Sequence, residues 1–139
     1  MGFRVVEDAG VFSIEFFDEP DYCHALPPAP FLIDDMLNSG PWLVLLPAVW
    51  SLPDRRSIDL ALNFAKRAGG RFNLGVRIFD DYQESYEFCP EIKDEFASPF
   101  WLYFEDGLLV KQWFAIFEEG RLKQEIEAFL LSRSVIFSS

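Results

Sequence analysis

The sequence predicts an α/β fold in which a central mixed sheet lies between helices on both faces, a three-layer α/β/α arrangement. Three observations carry that prediction. Trp42 to Val49 is a continuous apolar run, as expected of a strand covered on both faces. It is followed by a helical stripe, Ile58, Ala61, Leu62 and Ala65, and then by the alternating run Phe72, Leu74, Val76 and Ile78. Finally, Glu105-Asp106-Gly107 separates two further apolar runs, which is a hairpin signal. With 139 residues the chain suits one domain. Residues 1–40 read as an N-terminal extension packed on a core at 41–139.

In the extension, Arg4-Val5-Val6 and Val11 to Phe17 flank Asp8-Ala9-Gly10 and read as a hairpin or strand pair. Asp18 to Pro30 holds Pro20, Pro27, Pro28 and Pro30, which removes ladder donors and excludes helix, so an irregular or extended loop is expected. Phe31 to Asn38 has i,i+4 apolar pairs, Leu32/Met36 and Ile33/Leu37, and reads as a short helix stopped by Asn38-Ser39-Gly40-Pro41. In the core, Gly69-Gly70 ends the first helix. Pro90 suits the first position of a short helix carrying Ile92 and Phe96. Phe100 to Phe104 and Leu108 to Ile116 form the hairpin arms, and Leu122, Ile126, Phe129 and Leu130 the apolar face of a last helix, with Glu119 and Lys123 as an exposed i,i+4 pair. The strand–helix–strand unit needs a crossover, so its two strands should be parallel; the Asp-Gly turn makes the last two antiparallel.

Composition narrows function mostly by exclusion. Half of the residues are hydrophobic and 17% aromatic, which excludes a disordered chain; 25% charged residues exclude a membrane-spanning one. Twelve Lys and Arg against 23 Asp and Glu give a net charge of −11. Nucleic acid and anionic membranes are therefore not expected partners, whereas a protein with a basic surface is. Two cysteines, Cys23 and Cys89, are too few for a secreted disulfide framework. The first residues show no basic leader before an apolar stretch, so a cytoplasmic protein is expected.

From Trp42 to Leu131, about two thirds of the chain, the sequence resembles a thioredoxin. Val49-Trp50-Ser51-Leu52-Pro53-Asp54 stands where that family carries Trp-Cys-Gly-Pro-Cys. Gly70-Arg71-Phe72 to Asp80 resembles its next strand, and Ser98-Pro99-Phe100 its cis-proline segment. From Pro99 to Lys123 the spacing aligns without a gap. The resemblance implies a thioredoxin-like fold, and its departures imply a lost activity. Dithiol exchange needs a low-pKa thiolate and a second cysteine to resolve the mixed disulfide; those positions hold Ser51 and Asp54. The buried Asp of the family is Leu45 here, and its lysine partner is Val76.

Ser51 to Asp54 reads instead as a helix start: the Ser51 oxygen accepts from the third helical amide, Pro53 fits the first turn, and Asp54 faces the positive end of the helix dipole. The resemblance also implies a groove beside Pro99 that docks extended polypeptide through the backbone of the preceding residue, Ser98, a form of β-augmentation. Trp50, at a strand end, should border it, so Trp50, Ser51, Ser98 and Pro99 are the expected contacts of a non-redox binding, assembly or chaperone module. Phe12, Phe16 and Phe17 could extend or cover that surface. Most other aromatics, among them Trp101, Tyr103, Trp113 and Phe114, should be core.

The rival reading is a single-cysteine oxidoreductase or peroxidase using Cys89, which precedes Pro90 at a predicted helix start, where a thiol pKa falls. Cys23 and His24 are adjacent and lack a second pair at zinc spacing, so a loop histidine is expected; a Cys23–Cys89 bridge stays open, since spacing gives no distance. Asp80, Asp81, Glu84 and Glu87 could gather a cation, though a solvated loop is the plainer expectation. No nucleotide loop, metalloprotease helix or hydrolase elbow occurs, and no cofactor or metal is expected. The aromatic content also suits a homo-oligomer.

Overall fold

The computed structural model describes residues 3–8, 11–16, 23–25, 37–92 and 97–138, with side chains over 37–92 and 97–132. Its strands are β1 (Phe3–Asp8), β2 (Val11–Phe16), β3 (Cys23–Ala25), β4 (Pro41–Leu46), β5 (Asn73–Val76), β6 (Phe100–Glu105) and β7 (Leu108–Phe114). The helices are α1 (Leu52–Ala68), α2 (Tyr82–Phe88) and α3 (Glu119–Ser138). β1 and β2 pair antiparallel as a separate two-stranded sheet, with Val5 opposite Ile14. The other five form one mixed sheet in the order β3-β5-β4-β6-β7.

β4 is central because its whole length is apolar: Leu43 to Leu46 are fully buried. It runs parallel to β5 and antiparallel to β6. Pro47 has no amide to donate and ends the regular ladder, although Phe79 N–H still reaches the Pro47 carbonyl at 3.1 Å and Val49 N–H the Phe79 carbonyl at 2.8 Å. The β6–β7 hairpin turns through Asp106 and Gly107, both at positive φ (50° and 83°). A two-residue turn with both central residues left-handed matches the strand twist, which is why Asp-Gly marks it.

Two apolar layers flank the sheet. Leu43, Leu45, Leu74, Val76, Trp101, Tyr103 and Trp113 face α1 and α3, meeting Ile58, Leu62, Phe64, Leu122 and Ile126. Phe129 packs edge-on against Tyr103 and Trp113. On the opposite face Val44, Leu46, Phe79, Phe100, Leu102 and Phe104 meet Phe88 and Cys89 of the α2 segment.

Several expectations are corrected. Cys23–Ala25 is not loop but a parallel edge strand against β5, so the segment before residue 41 contributes to the central sheet. Pro90 and Glu91 lie in a turn rather than starting a helix, and a helix precedes them, at Tyr82–Phe88; residues 93–96 lie outside the described residues. Arg77, just after β5, is buried with its guanidinium 4.9 Å from the Phe88 ring centre, because helices cover both faces. Glu119 pairs with Arg67 of α1 rather than with Lys123. Phe96 and the helix over 31–38, save Leu37 and Asn38, lie outside the described residues, as do Phe17 and the Pro-rich segment beyond Ala25; no side chain is described for Phe12 or Phe16. No helix among the described residues is long and apolar enough to cross a membrane.

Candidate functional site

The site gathers at the end of the sheet where β4 runs into α1. Ser51 is the N-cap of α1: its backbone is extended and its Oγ accepts from the Asp54 amide at 3.3 Å. Asp54 is almost wholly buried. Its Oδ2 accepts from Ala48 N–H at 2.8 Å and its Oδ1 from the Ser51 hydroxyl at 3.1 Å. The Ser57 hydroxyl donates to the Asp54 carbonyl. Buried carboxylates are costly unless they are hydrogen-bonded or paired. Here the carboxylate ties the strand end to the first helical turn, and the helix dipole adds to its stability. Leu52 and Pro53 complete that turn.

Behind the corner, Leu45 and Val76 stand directly opposite one another on β4 and β5, both buried. At that register the two facing side chains are apolar.

Trp50 is 57% exposed, unlike the other tryptophans, which are core. Its position is nevertheless fixed: Nε1–H donates to the Asp80 carbonyl at 3.0 Å, and its ring lies 6.1 Å from that of Tyr82. Tyr82 then reaches across with its hydroxyl to Ser98 Oγ, 3.1 Å away. Its ring also packs on Phe79 and edge-on against Phe100, which are themselves stacked. The Ser98–Pro99 peptide is cis. The Pro99 carbonyl accepts from Ala115 N–H at 3.1 Å, anchoring the segment to the end of β7. Among the described residues, the Ser98 amide and carbonyl enter no main-chain hydrogen bond.

Trp50, Ser51, Ser98 and Pro99 thus belong to one end of the sheet, with Tyr82 as the tie between Trp50 and Ser98. Sequence reasoning missed Tyr82 because it missed α2. The signal was present in Asp81-Tyr82-Gln83-Glu84. The Asp81 carboxylate accepts from Gln83 N–H at 2.9 Å, while Glu84 reaches back to Asp81 N–H at 3.3 Å, a capping box. These carboxylates start a helix. Among the described residues no group of three or more His, Cys, Asp or Glu side chains is placed to hold a metal ion.

Cys89 is a free thiol at the C-terminal end of α2, not at a helix N-terminus. Its amide donates to the Ser85 carbonyl at 2.9 Å, and its side chain is fully buried in the second apolar layer. Desolvation pushes its pKa up to about 11, only partly opposed by backbone N–H groups near Glu91 and Ile92. Cys23 and His24 sit on edge strand β3, in register with Leu74 and Gly75.

The fold of this chain is similar to that of solved structures. A mutant thioredoxin from Halobacterium salinarum NRC-1 superposes with a TM-score of 0.59 at 18% identity, covering 81% of this chain and 95% of that one. The fold is thioredoxin-like. A second thioredoxin-like match, in the crystal structure of the ferredoxin:thioredoxin reductase and thioredoxin f2 complex, has a TM-score of 0.57 at 15% identity and covers 77% and 94% of the two chains. No family model matches this chain, and no curated protein matches it.

Proposed function

We propose that this thioredoxin-like chain is a non-redox docking module for extended polypeptide, working in binding, assembly or chaperoning at the Trp50–Ser98–Pro99 corner. The observation that carries the reading is an exposed yet anchored tryptophan beside a segment whose preceding residue, Ser98, has main-chain groups uncommitted among the described residues. An extended segment could pair with those groups as an added strand would, while Trp50 supplies apolar area at little entropy cost. Ser51 contributes by holding the corner; its hydroxyl is spent on Asp54. A serine hydroxyl and a carboxylate cannot exchange with a disulfide, so the reading includes no thiol–disulfide turnover.

The thiol alternative rests on a low-pKa Cys89. A buried thiol whose pKa lies near 11 supports it poorly, since the thiolate is the nucleophile.

The docking reading is tested by Trp50→Ala and Ser98→Pro, the first deleting the exposed ring and the second the amide donor. Both variants should keep the wild-type circular dichroism spectrum and lose at least about tenfold in affinity for a co-purifying partner. Folded variants with full affinity would refute it.

A further inference from the structure

The side of the site formed by α2 is acidic without interruption. Residues 78–92 contain Asp80, Asp81, Glu84, Glu87 and Glu91 and no lysine or arginine. Asp80, whose carbonyl holds the Trp50 indole, is exposed, as are Asp81, Glu87 and Glu91. Among the described residues none of these four enters an ion pair, whereas Glu84 has the buried Arg77 as an electrostatic neighbour. The exposed cations nearest in sequence to Trp50, Arg55 and Arg56, lie on α1, which covers the opposite face of the sheet. The exposed Trp50 thus has acidic Asp80 on its α2 side, while Arg55 and Arg56 belong to the helix on the other face.

We infer that the polypeptide docked at this site carries a lysine or arginine beside its apolar anchor, with the cation directed to the α2 side. This rests on the docking function proposed above and specifies its partner. Complementary charge at the rim of an aromatic anchor site selects partners more than it adds raw affinity. A cation beside Trp50 also gains from the indole face. An acidic segment in the same pose would meet Asp80 at close range and be rejected.

The test uses an array of synthetic peptides with Leu, Phe or Pro anchors flanked by Lys, Gln or Glu, titrated into the full chain. Binding is read from the Trp50 indole N–H resonance, assigned with Trp50→Phe. Lys-flanked peptides should shift that resonance and bind about tenfold more tightly than Glu-flanked ones. Asp80→Asn and Glu87→Gln should each weaken the Lys-flanked peptides by about threefold, a typical effect of one rim charge. These two are chosen because Asp81 and Glu84 cap α2. The Arg55→Gln and Arg56→Gln variants should leave the same peptides as tight or tighter. Equal affinity for Lys, Gln and Glu flanks, with the indole resonance shifting, overturns the charge inference and leaves docking intact. Peptides that bind without moving it, or an array with no binding at all, overturn both.

Discussion

Asp54 and Ser51 do at the residue scale what the sequence led us to expect of a helix start, and Asp54 does more. Its two oxygens satisfy the Ala48 amide and the Ser51 hydroxyl in an interior position. Asp54→Ala strands those donors and should cost about 2–3 kcal/mol in urea unfolding, since hydrogen bonds to charged groups are the strong ones. Ser51→Ala loses the cap and one of the two hydrogen bonds to the carboxylate and should cost about 1 kcal/mol. If the two losses are equal, the carboxylate does not hold the corner.

Cys89 gives a pH prediction of definite sign. Its folded pKa, near 11, lies above the ordinary value of 9.0. The unfolded chain therefore loses the proton first: the buried thiol's stability is intact below pH 9 and is lost as pH rises through 11. The loss is on the order of 2–3 kcal/mol at most. Cys89→Ala should remove that part of the alkaline decline. At pH 7 the native thiol should react with iodoacetamide only at the rate of unfolding; prompt alkylation would restore the enzyme reading.

At the scale of elements, the parts legible in the sequence were those whose pattern is local. Trp42 to Leu46 lacks a polar residue, and burial on both faces explains why. Asp106-Gly107 specified its turn because only residues tolerant of positive φ fit there. A Cβ at Gly107 would meet the Asn38 Cα at a contact distance of 3.4 Å, so the cost of Gly107→Ala lies in its positive φ. We expect it to cost at least about 1 kcal/mol, measurable by thermal unfolding; an unchanged midpoint would mean that the turn relaxes freely.

Two elements were illegible for physical reasons. Strand β3 is three residues long and exists through its pairing with β5, a partner about fifty residues away that no local pattern announces. Helix α2 is seven residues with an aromatic at its first position, too short for a convincing stripe; its capping box was readable, but a run of carboxylates looks like solvated loop until the amides they cap are placed. Missing α2 moved Cys89 to the wrong end of a helix and hid Tyr82, so the tie between Trp50 and Ser98 stayed out of view. Trp50, Ser98 and Pro99 were reachable because the thioredoxin resemblance supplied what periodicity could not.

For the whole molecule, a thioredoxin-like scaffold fixes which ends of which strands converge, and the side chains placed there decide the chemistry. In this chain they are a capped helix, an apolar interior at Leu45 and Val76, and an anchored aromatic at the rim. Reduction of insulin disulfides by this protein with dithiothreitol recycling should therefore match the rate with dithiothreitol alone. Docking at the corner, the central claim, is tested most directly by photo-crosslinking with benzoylphenylalanine placed at position 50 or, in a separate variant, at position 108. Trp50 and Leu108 are both exposed, at 57% and 72%, but Leu108 lies beyond Glu105, the β6 end paired with Pro41 at the start of β4. In native extract the probe at 50 should yield discrete polypeptide adducts and the probe at 108 should not; equal labelling from both, or labelling from 108 alone, would contradict the account.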